Sequence, residues 1–379
     1  MDLDGYYQSQ AAVARRGRLV VGSYLPQFDT ASNLLAWRLT GQAARVTVGA
    51  GAAGADEIRL DAAWLNAANL GGIRLAGKEA VAIDAALRLA MGGNIQFYAP
   101  RVAINAGIAA AGGRIEAGNI TRQISGNNRV EDDAVNPPAG QRAGVSLAPG
   151  AALDVSGLWT NLSIDPSDSP ALAYRNGGTV VLRSTGDVAL AAGSRIDVSG
   201  GAGLLANGKT RNGRGGDLTL VASAASSGGR LLLDGELAGY GVDGGGKLTL
   251  QAERVRIVTR KQPGSAGAAT ETVLAGTDFS QGFSQYEVIG ALGLEVESRR
   301  GTGRVDAGAA LRRQRPRHPR QGGGPAGLDA GAIPGRPRQE RADPAQGRQP
   351  DAAGRHPADR PGRRAARRAA DRRRRAGPG

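Results

Sequence analysis

Carboxylates are the first residues in this chain that could do chemistry. Glu131, Asp132 and Asp133 stand side by side, and Asp165 and Asp168 lie close together. Either group could in principle supply the acid and base of a hydrolytic pair. Glycosidic cleavage, however, needs two carboxylates held on either side of the bond at a defined separation. These acids fall in polar, proline-containing stretches, 121–142 and 158–176, where acidic side chains ordinarily keep a loop solvated. His318 and His356 are the only histidines, and cysteine is absent. Residues 1–311 therefore lack a Ser-His-Asp relay, a histidine base, a thiolate nucleophile and a thiolate or imidazole metal site. No catalytic, cofactor-binding or metal-ligating residue is expected.

Other polar signals are weaker. Asp154 and Asp197 sit in two copies of one phrase, AALDVSG (151–157) and SRIDVSG (194–200). An Asp two residues before a turn Ser suits a side chain that bonds turn backbone better than a metal ligand. Neither GGAGLLANG (200–208) nor GGGKLTLQA (244–252) fits a calcium-binding nonapeptide. No P-loop occurs, and the single RGG in NGRGGD (212–217) is a feeble nucleic-acid signal. Trp37, Trp64 and Trp159 could face a glycan, but covering a core end or an insertion is the expected role.

The elements that would position any such residue are short. A glycine pair followed by a strand-like run recurs as GGIRL (71–75), GGNIQF (92–97), GGTVVL (177–182), GGDLTL (215–220), GGRLLL (228–233) and GGKLTL (245–250). Apolar residues within the runs fall two apart, as in Val102/Ile104, Leu153/Val155, Val188/Leu190 and Ile196/Val198, with polar residues such as Asp154 and Asp197 between them. That is the period of a strand with one buried face. Residues 79–91 could be read as a helix, but Val81/Ile83 and Leu87/Leu89 alternate, and strands are expected. Imperfect repetition with few aromatics suits a narrow, layered core. The expected fold is all-β: a right-handed parallel β-helix, or β-solenoid, with loop excursions at 121–142, 158–176 and 261–286 and a disordered C-terminal tail.

Three segments follow. Residues 1–40 are an irregular lead-in, 41–311 the β-helical body, and 312–379 an Arg/Pro/Gly/Ala-rich tail. The overall charge of +14 is uneven: residues 312–379 carry 19 Arg and 6 acids, whereas 1–311 carry 29 basic and 28 acidic groups. Any partner suggested by the basic pI belongs to the tail, where binding to nucleic acid would be nonspecific for lack of interleaved aromatics. After Leu311 the only Leu, Ile, Val or aromatic residues are Leu328 and Ile333, too few for a core. The tail's composition is that of GC-rich DNA read out of frame, so a frameshift near Arg312 is the expectation. No apolar stretch is long enough for a signal peptide or a membrane span, and membrane insertion is not expected.

The phrases GGTVVLRSTGDVALAAGSRIDVSGG, GAALDVSGLWTN, GGDLTLVAS, GGKLTLQAERVRI and FSQGFSQYEVIGALGLEVESRRG resemble filamentous-haemagglutinin-like large exoproteins of two-partner secretion systems. The resemblance spans roughly residues 40–311. It implies a β-helical shaft at the cell surface or released from it, an adhesive role, a longer parent exoprotein and an outer-membrane transporter as partners, and no catalysis or cofactor. It does not identify a host-surface or glycan receptor. The NPNG-type secretion motif is absent (NPPAG at 136–140 is not that motif), so an internal or C-terminal piece of such a protein is expected. Two alternatives remain: a β-helical carbohydrate-active enzyme, and a nonspecific nucleic-acid binder acting through the basic tail.

Overall fold

The computed structural model describes residues 16–29, 34–40, 43–124, 130–161, 174–222, 228–260, 270–298, 301–305 and 310–314. The chain divides into two units, Met1–His318 and Pro319–Gly379, and every described residue belongs to the first. Its architecture is all-β and mostly parallel, with one short α-helix, Ala62–Ala67, among the described residues.

Three parallel sheets carry the fold, of eleven, seven and five strands. They are called sheets I, II and III here. From Ala80 onward the chain visits them in strict rotation. Ala80–Ile83 lies in sheet II, Leu87–Arg88 in sheet III and Asn94–Tyr98 in sheet I. The next circuit is Arg101–Ile104, Ile108–Ala109 and Arg114–Gly118, each parallel to its predecessor. Three further circuits follow, ending in Lys247–Val258 of sheet I.

Register turns the alternation in the sequence into columns. In sheet I, Ile95, Ile115, Val180, Leu218, Leu248 and Tyr286 lie opposite one another in succession. Sheet II aligns Val46, Val81, Val102, Val145, Val188 and Leu231. Sheet III aligns Leu87, Ile108, Leu153, Ile196 and Leu237. All of these side chains are buried in one continuous core. Each contributes about 1.5–3 kcal/mol of apolar burial. Volume is balanced along a column, since Phe97 lies beside Ala117. Residues 79–91 form two strands as expected from their alternation.

The glycine pairs make the corners. Gly113, Gly178, Gly216 and Gly246 precede successive strands of sheet I, and a Cβ on each of the last three would overlap the carbonyl oxygen of the one before. Chain crosses over chain here with no side-chain layer between, so only glycine fits. GGRLLL departs from the other phrases. It enters sheet II, where Gly229 packs on Gly186.

Excursions leave at the corners. Ile120–Ile124 and Val130–Ala134 form an antiparallel hairpin. Buried Asn119 anchors its base, accepting from Thr185 N–H at 3.0 Å and donating to the Val135 carbonyl and Thr185 Oγ1 at 2.9 Å each. Trp159–Asn161 begins a second, smaller sheet with Ala202–Leu204 and Thr210–Asn212.

Three expectations need correction. The lead-in is not irregular throughout: Arg18–Val21 joins sheet I beside Gly72–Leu75, and Ser23–Asp29 pairs with Leu34–Thr40. Stretch 261–286 is not wholly an excursion, because Glu271–Ala275 pairs with Arg254–Val258 and buries Thr272 and Leu274. The tail expected from Arg312 begins in paired backbone, since Ala310–Gln314 pairs antiparallel with Gln285–Ile289. Backbone pairing to a neighbouring strand overrides a composition with too few core-forming residues after Leu311. Residues 315–379 lie outside the described residues.

Candidate functional surfaces

A hollow with a volume of about 580 Å³ lies on the outward face of sheet II. Its floor is a row of small side chains in register, Ala82, Ala103, Ser146 and Ala189. Short side chains over successive strands leave a depression that no described residue fills. Arg45, Arg101 and Arg142 rim one margin, and Asp84 and Asn105 stand on another, with Asn105 donating to Asp84 Oδ1 at 2.7 Å. Arg142 is engaged with the Gly228 carbonyl at 3.1 Å. The arrangement offers guanidinium donors and polar acceptors to a ligand. Its two acids, Asp84 and Asp187, lie three strand steps apart, roughly 14 Å along the stacking direction. Paired carboxylates of a glycosidase stand about 5–9.5 Å apart.

A second polar cluster runs over the outer face of sheet I. Arg74, Gln96 and Glu116 lie in one column. Gln96 Oε1 accepts from Arg18 at 2.7 Å and from Arg74 at 3.0 Å, while its amide donates to the Tyr98 hydroxyl at 3.1 Å. Burial, reinforced by Glu116, pushes the Tyr98 phenol well above its ordinary range. The Tyr98 ring also supports the Arg74 guanidinium 5.9 Å from its centroid. Arg18, Arg74 and Gln96 stand on three successive strands of sheet I, so the cluster ties those strands together.

The two DVSG aspartates meet in register on sheet III, Asp154 opposite Asp197. Asp154 accepts from Ser156 N–H at 2.9 Å and Asp197 from Ser199 N–H at 2.8 Å, so both bond turn backbone. Arg195 holds the other Asp197 oxygen at 2.7 Å. Burial acts to raise the Asp197 carboxyl, but the bonds from Ser199 and Arg195 outweigh it and hold the group below its usual range.

Glu131, Asp132 and Asp133 lie on the hairpin strand opposite Gln123, Arg122 and Thr121. Asp165, Asp168, His318, His356 and the side chain of Trp37 lie outside the described residues. Of the other tryptophans, Trp64 is 56% and Trp159 71% exposed. Leu65, beside Trp64, is the residue that enters the core, because the helix starting at Asp61 turns Trp64 outward and Leu65 inward. Sequence inspection also missed the hollow, whose small floor residues look like ordinary exposed positions of alternating strands.

Comparison of the chain with known protein families, curated proteins and solved structures finds no match in any of the three. Among the described residues no helix is long and apolar enough to cross a membrane.

Proposed function

We propose that the body of this protein is a right-handed parallel β-solenoid that acts as a structural, adhesin-type shaft, a segment of a filamentous-haemagglutinin-like exoprotein displayed outside the cell. The supporting observation is the strict rotation through three parallel sheets with buried residues in unbroken columns. The right-handed sense follows from the strong preference of parallel crossovers for that hand. A stack of this kind transmits force along its length through backbone hydrogen bonds and a continuous core, so its work is mechanical display. The parent exoprotein and an outer-membrane transporter are the partners this function requires, and adhesive contacts belong to the excursions or to other parts of the parent.

Surface exposure on the encoding cell provides the test. Antibodies raised against the purified body should label intact cells. Labelling that appears only after the cells are broken open would overturn the proposal.

A further inference from the structure

An asparagine followed by glycine loses its side-chain amide readily, because glycine leaves the following peptide nitrogen unobstructed and free to turn. The chain has three such pairs, Asn176-Gly177, Asn207-Gly208 and Asn212-Gly213. The reacting atoms are the same in all three, so in the folded chain their surroundings decide which can react.

Two of the pairs are locked where chain crosses chain. Gly177 donates its N–H to the Arg214 carbonyl at 2.8 Å, and Asn176 Oδ1 accepts from Arg214 N–H at 3.0 Å, which draws both groups toward a distant segment. Buried Gly213 donates to the Gly201 carbonyl at 2.8 Å. A Cβ on Gly177 would overlap the Val198 carbonyl oxygen, and one on Gly213 the Arg175 carbonyl oxygen. Neither peptide can rotate without displacing another part of the chain.

Asn207-Gly208 stands apart. It tips the turn between Ala202–Leu204 and Thr210–Asn212, and residues 206–210 are all exposed. Gly208 has a φ of +75°, and beyond its chain neighbours no atom lies within 4 Å of where its Cβ would be. The base of the turn is nevertheless fixed: buried Leu205 donates its N–H to the Lys209 carbonyl at 2.8 Å and accepts from Gly208 N–H at 2.9 Å. Asn207 Oδ1 accepts from Lys209 N–H at 3.0 Å, an Asx turn that folds the side chain back over the Gly208 peptide. The side-chain carbon is thereby kept near the peptide nitrogen it must meet, with water free to reach both.

We propose that Asn207 is a site of spontaneous deamidation, and that the fold shields Asn176 and Asn212 from the same reaction. The Gly208 nitrogen attacks Asn207 Cγ and forms a ring N–C bond. The Cγ–Nδ2 bond breaks, and the side-chain nitrogen leaves as ammonia with the proton from Gly208 N–H. Water then opens the ring at either carbonyl, giving aspartate or its β-linked isomer, and no oxidant or cofactor is needed. The product carries a new negative charge between Lys209 and Arg211. The inference rests on neither secretion nor the shaft reading.

Peptide mass spectrometry of the full chain, held over time in mildly alkaline buffer, reads the change of amide to carboxylate at each asparagine. In the folded chain Asn207 should convert about tenfold or more faster than Asn176 and Asn212, which must wait for local opening. In guanidinium the three rates should converge. Equal rates in the folded chain would overturn the proposal. So would an Asn207 that stays intact in the folded chain while the unfolded chain reacts. A lead for Asn207 that is as large in guanidinium would overturn it too, because sequence neighbours and not the fold would then set the rate.

Discussion

The two ends of the stack meet one physical problem with different means. At the first end, the two-residue strand Leu87–Arg88 of sheet III is closed by a single side chain. Asn66, on the short helix, accepts the Arg88 N–H at 2.7 Å and donates to the Ala86 carbonyl at 3.0 Å, as a paired strand would. Leu65 next to it is fully buried and stops the core. At the last end Gln281 does the corresponding work for Glu236–Ala238, but the 14-residue edge of sheet I requires two further strands. Edge length decides the device: one amide closes two or three residues, and only backbone closes ten. Unpaired backbone in a β-edge is costly when buried and sticky when exposed, so neither end can be left open.

Breaking a corner between the ends should have the largest effect. Gly216→Val would drive a branched side chain into the Gly178 carbonyl and the Gly177 backbone, and should cost about 4 kcal/mol or more. Denaturant unfolding measures it, and a loss below about 1 kcal/mol would mean that the coils can separate there. Leu65→Ala comes next, at about 2–5 kcal/mol for a fully buried leucine. It separates core closure from edge closure at the first end, because Asn66 is left in place.

The two amides then sharpen the comparison directly. Asn66→Ala removes two edge hydrogen bonds and Gln281→Ala one from its side chain. The first should cost about 1–3 kcal/mol and the second about 1 kcal/mol. Equal losses would contradict the view that Asn66 stands in for a strand. The smallest effect is electrostatic. Asp197 has a lowered folded-state pKa, so its contribution is present above the ordinary aspartate range and is lost as pH falls through the folded value. Asp197→Asn should therefore flatten the acid side of the stability profile and leave its slope near neutral pH unchanged.

Much of the body was legible because its signals are local and repeated. Pairs such as Ile196/Val198 and Leu153/Val155 alternate in the sequence and are buried in the structure. Glycine pairs marked corners, although the corner each one makes depends on its place in the circuit, and GGRLLL belongs to another column. Asp154 and Asp197 were legible as turn-bonding residues because the acceptor and the Ser N–H are two positions apart. The closures were not legible. Asn66 and Gln281 are single polar residues whose partners lie 20–22 and 44 positions away, with no period to reveal them. Arg312–Gln314 read as tail by composition, and the pairing of Ala310–Gln314 with Gln285–Ile289 comes from the neighbouring edge and not from its own propensity. The hollow over sheet II emerges only when four small residues from separate strands line up.

The central claim is that successive circuits stack in register along one direction. The chain has no cysteine, so pairs introduced by substitution can carry spin labels without background. Ala82, Ser146, Ala189 and Leu232 occupy one column of sheet II. Dipolar electron paramagnetic resonance from Ala82 to Ser146, Ala189 and Leu232 should give separations of roughly 10, 14 and 19 Å, rising in equal steps of one strand spacing. Separations that fail to grow with each added circuit would contradict the stack.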